Sequence, residues 1–356
     1  MTGTYGTADP RTYAGVGVDI AAGERAVELM RTAVAAAGRP EVVGGLGGFA
    51  GLFRLDLSAY RRPLLATSTD GVGTKVAIAQ ALDRHDTIGI DLVGMVADDL
   101  VVCGAEPLFL TDYIACGQVV PERIAAIVAG VAEGCRRAGC ALLGGETAEH
   151  PGLLGSVEYD LAGAGTGVVE EDSLLGPHLV QPGDAVLGLA ASGLHANGYS
   201  LVRHALLAGA GWKLERYVDE LGRTLGEELL EPTRIYARDC LAATSAYDVH
   251  AFAHVTGGGL AANLTRVLPA TADAELDRGS WTPPAICGLV GAVGQVEQQE
   301  LEHVFNMGVG MVAVVAPDAA DGVLRLLDGR GVPAWPLGEV VAGSGAVRLT
   351  GTHPAG

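Results

Sequence analysis

The stretch Leu64-Leu65-Ala66-Thr67-Ser68-Thr69-Asp70-Gly71-Val72-Gly73-Thr74-Lys75 decides the architecture. Residues 64–69 read as a short buried strand that delivers Asp70 to a glycine turn closed by Lys75. A carboxylate and an ammonium around such a turn can hold a cation and neutralise phosphate, while backbone N–H groups face the same ligand. The segment is not a Walker-type loop, which needs Gly-Lys-Ser/Thr after four spacer residues, so the common P-loop fold is disfavoured. A plain surface turn is the alternative from this segment alone. Lys75 is, however, one of only two lysines against 21 arginines, which makes its placement informative.

Upstream, apolar Val27, Leu29, Met30 and Val34 predict a helix over residues 18–38, stopped by Gly38 and Pro40. The run 44–51 (GGLGGFAG) is a glycine-rich loop, with Gly44, Gly45, Gly47 and Gly48 able to approach a ligand closely. Downstream, a helix is predicted over 91–103. Its apolar stripe (Leu92, Val93, Val96, Leu100, Val101) puts Asp99 on the flank, where a carboxylate needs a partner or a metal. Asp91 and Asp98 fall on the neighbouring face, where solvent suffices. A further helix spans 121–137, opened by Pro121 and closed by Gly139. Residues 140–143 then form a strand that feeds the turn Gly144-Gly145-Glu146 and aims Glu146 into a cleft. Asp70, Asp99 and Glu146 are thus candidates to converge on Mg²⁺ bridging nucleotide phosphates. Glu149 and His150 lie close by and fit either the site or a solvated loop.

Residues 170–184, rich in acidic residues, Gly and Pro, mark a junction between domains spanning 1–170 and 171–356. The second begins with a strand over 185–190. Helices near 199–208 and 235–244, a strand near 252–255 and a late core strand over 304–316 follow. Both halves alternate strand, turn and helix, so the fold class is α/β or α+β. Two strand-to-helix turns stand out: Ser192-Gly193-Leu194-His195-Ala196-Asn197 and Thr256-Gly257-Gly258-Gly259. Small residues with a hydroxyl, an imidazole and an amide suit a phosphate or another polar substrate group. His250 and His254 share one face of a strand and lack a third zinc ligand, so packing is the expected role.

A formal charge of −19 and few aromatic residues exclude a non-specific grip on nucleic acid. The six cysteines form no CxxC pair and read as reduced core residues of a cytoplasmic protein. No signal peptide and no apolar run of membrane-spanning length is expected. The first dozen residues and residues 351–356 read as mobile ends.

Ten segments, in order, resemble the aminoimidazole ribonucleotide synthetase (phosphoribosylformylglycinamidine cyclo-ligase) family. They include RPEVVGGLGGFAGLF (39–53), TDGVGTK (69–75), HDTIGIDLV (85–93), DLVVCGAEPLF (99–109) and GGETAE (144–149). HANGYSLVR (195–203), EPTRIYA (231–237), HVTGGG (254–259) and FNMGVGM (305–311) carry it through the second half. The resemblance implies a two-domain ATP-binding fold whose N-terminal sheets pair into a barrel-like homodimer core. It implies ATP and Mg²⁺ as co-substrate and cofactor, and a small ribonucleotide substrate cyclised with release of ADP and phosphate. Asp70, Asp99 and Glu146 would hold the metal, Gly71 and Lys75 would meet the phosphates, and residues 44–51 would close over the nucleotide. Ser192, Gly193, His195, Asn197, Thr256, Gly257 and Gly258 would position the ribonucleotide, with His195 a proton carrier. Many relatives carry Asn where this chain has Asp98, and the Lys-Asp pair that many carry after Tyr13 is replaced by Ala14-Gly15.

Overall fold

The helices form where the sequence supplies both an apolar stripe and an end signal. Asp19 caps α1 (Ile20–Ala36), its side chain accepting from the Ala22 N–H at 3.1 Å. α2 (Ile88–Val101) is apolar nearly all round. α3 (Pro121–Ala138) starts on proline and ends at Gly139, whose φ of 82° lies in the left-handed region. Gly89 and Gly134 let α2 and α3 approach closely, since a β-carbon at either would run into the other helix. The computed structural model describes residues 11–45 and 47–354. The expected mobility of residues 1–10 and 355–356, and Leu46 of the glycine loop, lie outside the described residues.

In the first half β1 (Pro63–Gly71), β2 (Glu106–Cys116), β3 (Ala141–Glu149) and β4 (Tyr159–Glu170) form a sheet in the order β1-β4-β2-β3. β2 and β3 run parallel, with α3 as their crossover, and the other pairs are antiparallel. α2 covers one face. Gly163 and Gly165 of β4 leave room there for Leu92, Val96 and Leu100. The opposite face is open, with Leu65 67% and Tyr113 43% exposed. Among the described residues the sheet does not close into a barrel.

Two expected turns prove to be strand. Asp70 lies inside β1, and Gly144-Gly145-Glu146 lies inside β3. Glycine marks close approach at this point rather than reversal, because the Asp112 carboxylate occupies the space a β-carbon of Gly145 would need.

The chain leaves β4 at Glu170 and enters the second sheet with β5 (Ala185–Ala190). β6 (Val249–His254), β7 (Ala272–Asp277), β8 (Val309–Val315), β9 (Ala334–Ala342) and β10 (Val347–Thr350) complete it in the order β6-β8-β5-β9-β7-β10. Only β7 and β10 run parallel, so the α+β description fits better than a wound parallel sheet. α4 (Ala237–Ala246) and the short α5 (Gly259–Thr265) pack on it. The helix expected over 199–208 starts at Tyr199 and widens into a π-type helix over Arg203–Gly209. One apolar core runs through both halves, from Val93 and Ile127 to Phe252 and Met311. A smaller core lies on the other face of the second sheet. All six cysteines are free thiols, and five are buried. The last described residues are tied down rather than frayed. His353 donates to the Arg278 carbonyl at 3.1 Å and packs edge-on against Trp281.

Candidate active site

α2 carries three aspartates, and the structure reverses their expected environments. Asp91 and Asp98 are wholly buried, whereas the Asp99 side chain keeps 37% of its exposure. The stripe argument fails because α2 has no solvent face: β1, β4, α3 and α4 surround it.

At the N-terminal end of α2, Asp91 meets Lys75. The ammonium donates to Asp91 Oδ1 at 2.8 Å, to the His195 carbonyl at 2.9 Å and to the Glu231 carbonyl at 2.6 Å. Thr233 adds its N–H (2.8 Å) and hydroxyl (2.6 Å) to the same carboxylate oxygen. Burial pushes the Lys75 pKa down and the Asp91 pKa up, and the close pairing opposes both shifts. All three of its N–H groups are donated within the protein, and Lys75 has no exposed surface. It ties the TDGVGTK segment to the 192–197 turn and the 231–234 loop. Where a phosphate contact was expected, the ammonium here faces Asp91 and two backbone carbonyls.

The other end of α2 is different. The Asp98 Oδ1 accepts from the Tyr236 N–H at 2.9 Å, but its Oδ2 has no donor. Burial raises this carboxyl to about 7, the nearby His254 opposing. Asp99 Oδ1 accepts from His254 Nδ1 at 2.8 Å. Burial alone would lower the His254 pKa; the Asp99 hydrogen bond and the charges of Asp98, Asp99 and Asp70 outweigh it and raise the value. Asp70 is raised by burial and by the charge of Asp99. Three carboxylates therefore share one imidazole. Beside them opens a cavity of about 320 Å³ lined by Thr67, Ser68, Asp99, His254, Asn263 and Arg266, among others. His254 and Arg266 were not among the expected site residues. The signal for His254 was its place two residues ahead of the Thr256 glycine turn.

Glu146 does not join this centre. Across the sheet Asp70 pairs with Gly163, Gly163 with Asp112 and Asp112 with Gly145, all on the α2 face. Glu146 pairs with Tyr113 and so points to the open face from the opposite edge. Three strand spacings, about 14 Å, separate the two edges. Among the described residues no three His, Cys, Asp or Glu side chains are placed to hold one metal ion. The glycine loop sits at the same edge as Glu146. Val42–Val43 and Leu52–Phe53 pair as its stem, Gly51 lies against Leu143, and Gly44 and Gly47 take positive φ. Gly45 has open space beside it, a β-carbon on Gly48 would stand 3.5 Å from the Ala50 carbonyl oxygen, and Phe49 is fully exposed. Glu149 serves the fold, accepting from the Asp19 and Val119 N–H groups.

The two expected substrate turns do come together: a β-carbon on Gly257 would stand 3.6 Å from Asn197 Oδ1. The Ser192 hydroxyl is engaged internally, donating to the Pro232 carbonyl at 2.6 Å and accepting from the Arg234 N–H at 3.1 Å. Gly193 offers its carbonyl to Asn306. His195 has a φ of 61°, and its Nε2 accepts from the Ser192 N–H at 3.2 Å, so the neutral ring carries its proton on Nδ1. Burial holds its pKa well below the ordinary value. Gly258 also takes positive φ.

Sequence comparison is decisive. The family model described as AIR synthase related protein, N-terminal domain, matches residues 53–169, and the C-terminal domain model matches residues 181–350. The phosphoribosylformylglycinamidine cyclo-ligase of Geobacillus kaustophilus is 51% identical over 335 residues, covering 94% of this chain and 97% of the relative. The chain belongs to the phosphoribosylformylglycinamidine cyclo-ligase family. An Anaeromyxobacter family member is 52% identical over the same shares of both chains. Among solved structures, thiamine-monophosphate kinase from Stenotrophomonas maltophilia superposes with a TM-score of 0.63 at 18% identity, covering 93% of this chain and 97% of the kinase. Hydrogenase maturation protein HypE in complex with ATP gives 0.65 at 19%, covering 94% and 92%. These two share the fold. No helix of the described residues is long and apolar enough to cross a membrane.

Proposed function

We propose that this chain catalyses the ATP-dependent ring closure of formylglycinamidine ribonucleotide to aminoimidazole ribonucleotide, releasing ADP and phosphate, in the cytoplasm. The observation that carries this is the cavity beside α2, lined by Asp99 and its hydrogen-bonded partner His254, on which the charges of Asp98 and Asp70 also act, close to the Thr256 glycine turn. An amide oxygen is a poor leaving group. ATP phosphorylates it to an imidate ester, the neighbouring nitrogen attacks that carbon, and phosphate departs as the ring closes. Orientation accounts for most of the intramolecular step, and charge neutralisation for most of the phosphoryl transfer.

Asp70 and Asp99 suit Mg²⁺, which takes one or two carboxylates and completes its shell with phosphate oxygens and water. Burial and the neighbouring Asp99 charge, which raise Asp70, are both offset by a cation there. His254 orients Asp99 through its Nδ1–H, as second-layer groups around metals do. The Asn197 and Thr256–Gly258 turns position the ribonucleotide, and the neutral His195 beneath them has an Nδ1–H free to donate. Lys75 acts by holding these turns together.

The active form is a homodimer in which a second copy covers the open sheet face. It brings the glycine loop and Glu146 of the partner subunit to the Asp70–Asp99 centre, since each chain holds these groups at opposite edges of its sheet. The assignment is tested by following ADP and aminoimidazole ribonucleotide together with purified protein, ATP, Mg²⁺ and substrate. Equal yields that vanish on chelation are expected. ATP binding without substrate-dependent turnover sinks the proposal.

A further inference from the structure

Asn263 takes no part in the reaction as described, yet its amide organises the turn beside the cavity. The side chain is buried at 4% exposure on α5. Its Nδ2 donates to three backbone carbonyls of one turn: Gly259 at 2.9 Å, Gly257 at 3.2 Å and Thr256 at 3.3 Å. Its Oδ1 accepts from the Thr256 hydroxyl at 3.4 Å and from Arg266 Nη1 at 3.3 Å. Two hydrogens shared among three acceptors make a clamp that closes only if the turn keeps this curvature. Gly258 and Gly259, with φ of 95° and 71°, allow that curvature.

The same amide also aims a charge. Arg266 lies one helical turn after Asn263 and is the only guanidinium among the residues lining the cavity with Asp99 and His254. The clamp therefore fixes two things together: the turn facing Asn197 and the cation facing the carboxylate centre.

We infer that Asn263 is the positioning residue of the ribonucleotide site, setting the Thr256–Gly259 turn and the direction of Arg266 toward a phosphoryl-bearing substrate. This rests on the cyclo-ligase reading above. An amide is needed because only it presents donors to the carbonyls and an acceptor to Thr256 and Arg266 at once. A carboxylate of the same shape would set negative charge against three carbonyl oxygens.

The test compares wild type, Asn263→Asp, Asn263→Ala and Arg266→Met in steady-state turnover, with calorimetric titration of formylglycinamidine ribonucleotide in the absence of ATP. The expected result is a KM for the ribonucleotide raised at least about tenfold in each variant, with the KM for ATP raised by a clearly smaller factor, since Arg266 shares its cavity with Asp99. Calorimetry should show the same loss of ribonucleotide affinity. If the Asn263 variants fail to fold, the exposed Arg266→Met carries the same one-sided expectation. Equal rises in both KM values overturn the inference, and so does a lower thermal midpoint with unchanged constants. Wild type that binds the ribonucleotide without turning it over sinks the reaction while leaving the clamp to be judged by calorimetry. Wild type that does not bind it sinks both.

Discussion

The two ends of α2 bury carboxylates by opposite means. At the N-terminal end Asp91 has a whole ammonium and both donors of Thr233. At the C-terminal end Asp98 and Asp99, with Asp70 across from them, share His254. Each end leaves one carboxylate oxygen without a donor, Asp91 Oδ2 and Asp98 Oδ2. Unsatisfied atoms therefore do not tell the ends apart; the balance of charge does. The first end is neutral and closed, so it stabilises. The second is left negative and opens on a cavity, so it attracts a cation. Burial alone marks neither as functional.

The largest effect should come from the negative end. Asp99→Asn should cut Mg²⁺-dependent turnover by at least about a hundredfold while leaving the thermal midpoint nearly unchanged. Mixed with Glu146→Gln, a variant equally impaired on its own, it should regain about a quarter of wild-type activity, because half the dimers then hold one intact site. No recovery after subunit exchange would place both groups in one chain's site and break the shared-edge reading.

The neutral end should answer with stability. Lys75→Met leaves Asp91 buried without its cation and should cost about 3–5 kcal/mol in denaturant unfolding. The double variant Lys75→Met/Asp91→Leu should recover much of that loss. A stable Lys75→Met protein that has lost only turnover would return Lys75 to the phosphates.

The smallest effect concerns Asp98. Its folded pKa, about 7, lies above its unfolded value, so its contribution to stability is full at low pH and is lost as pH rises through about 7. In chelator, Asp98→Asn should match wild type near pH 4 and unfold a few degrees higher at pH 8. Equal midpoints at both values would show that the wild-type carboxylate is compensated after all.

The sequence carried some of this and hid the rest for physical reasons. α3 was readable because Pro121 and Gly139 mark its ends, and β5, β6 and β8 because their apolar runs are turn-bounded, whereas β7, β9 and β10, with shorter or interrupted apolar runs, were not anticipated. The phase of α2 was not, since a helix buried on every side has no polar face to betray its orientation. Gly144 and Gly145 imitate a turn, and only the neighbouring strand, with Asp112 lying over Gly145, explains them. Asp70 and Glu146 sit at matched motif ends in sequence. Their separation to opposite edges and faces depends on strand order, which is a long-range property. The Asn197–Gly257 approach was legible as two similar turns, though not as neighbours. The Asn263 clamp showed no sign in the sequence, because an amide four residues past the end of the Thr256–Gly259 turn looks like any polar helix residue.

The burial of Lys75 has one further consequence. Lys213 is the other lysine, and it is exposed. An amine-reactive dye, crosslinker or biosensor surface applied to the folded protein meets a single lysine side chain, remote in sequence from the glycine turns and from α2. Lys75 becomes available to the reagent only when the helix lets go of it. A brief labelling pulse followed by mass measurement would then report the opening of one salt bridge at the centre of the molecule, as one tag beyond those on Lys213 and the α-amino group.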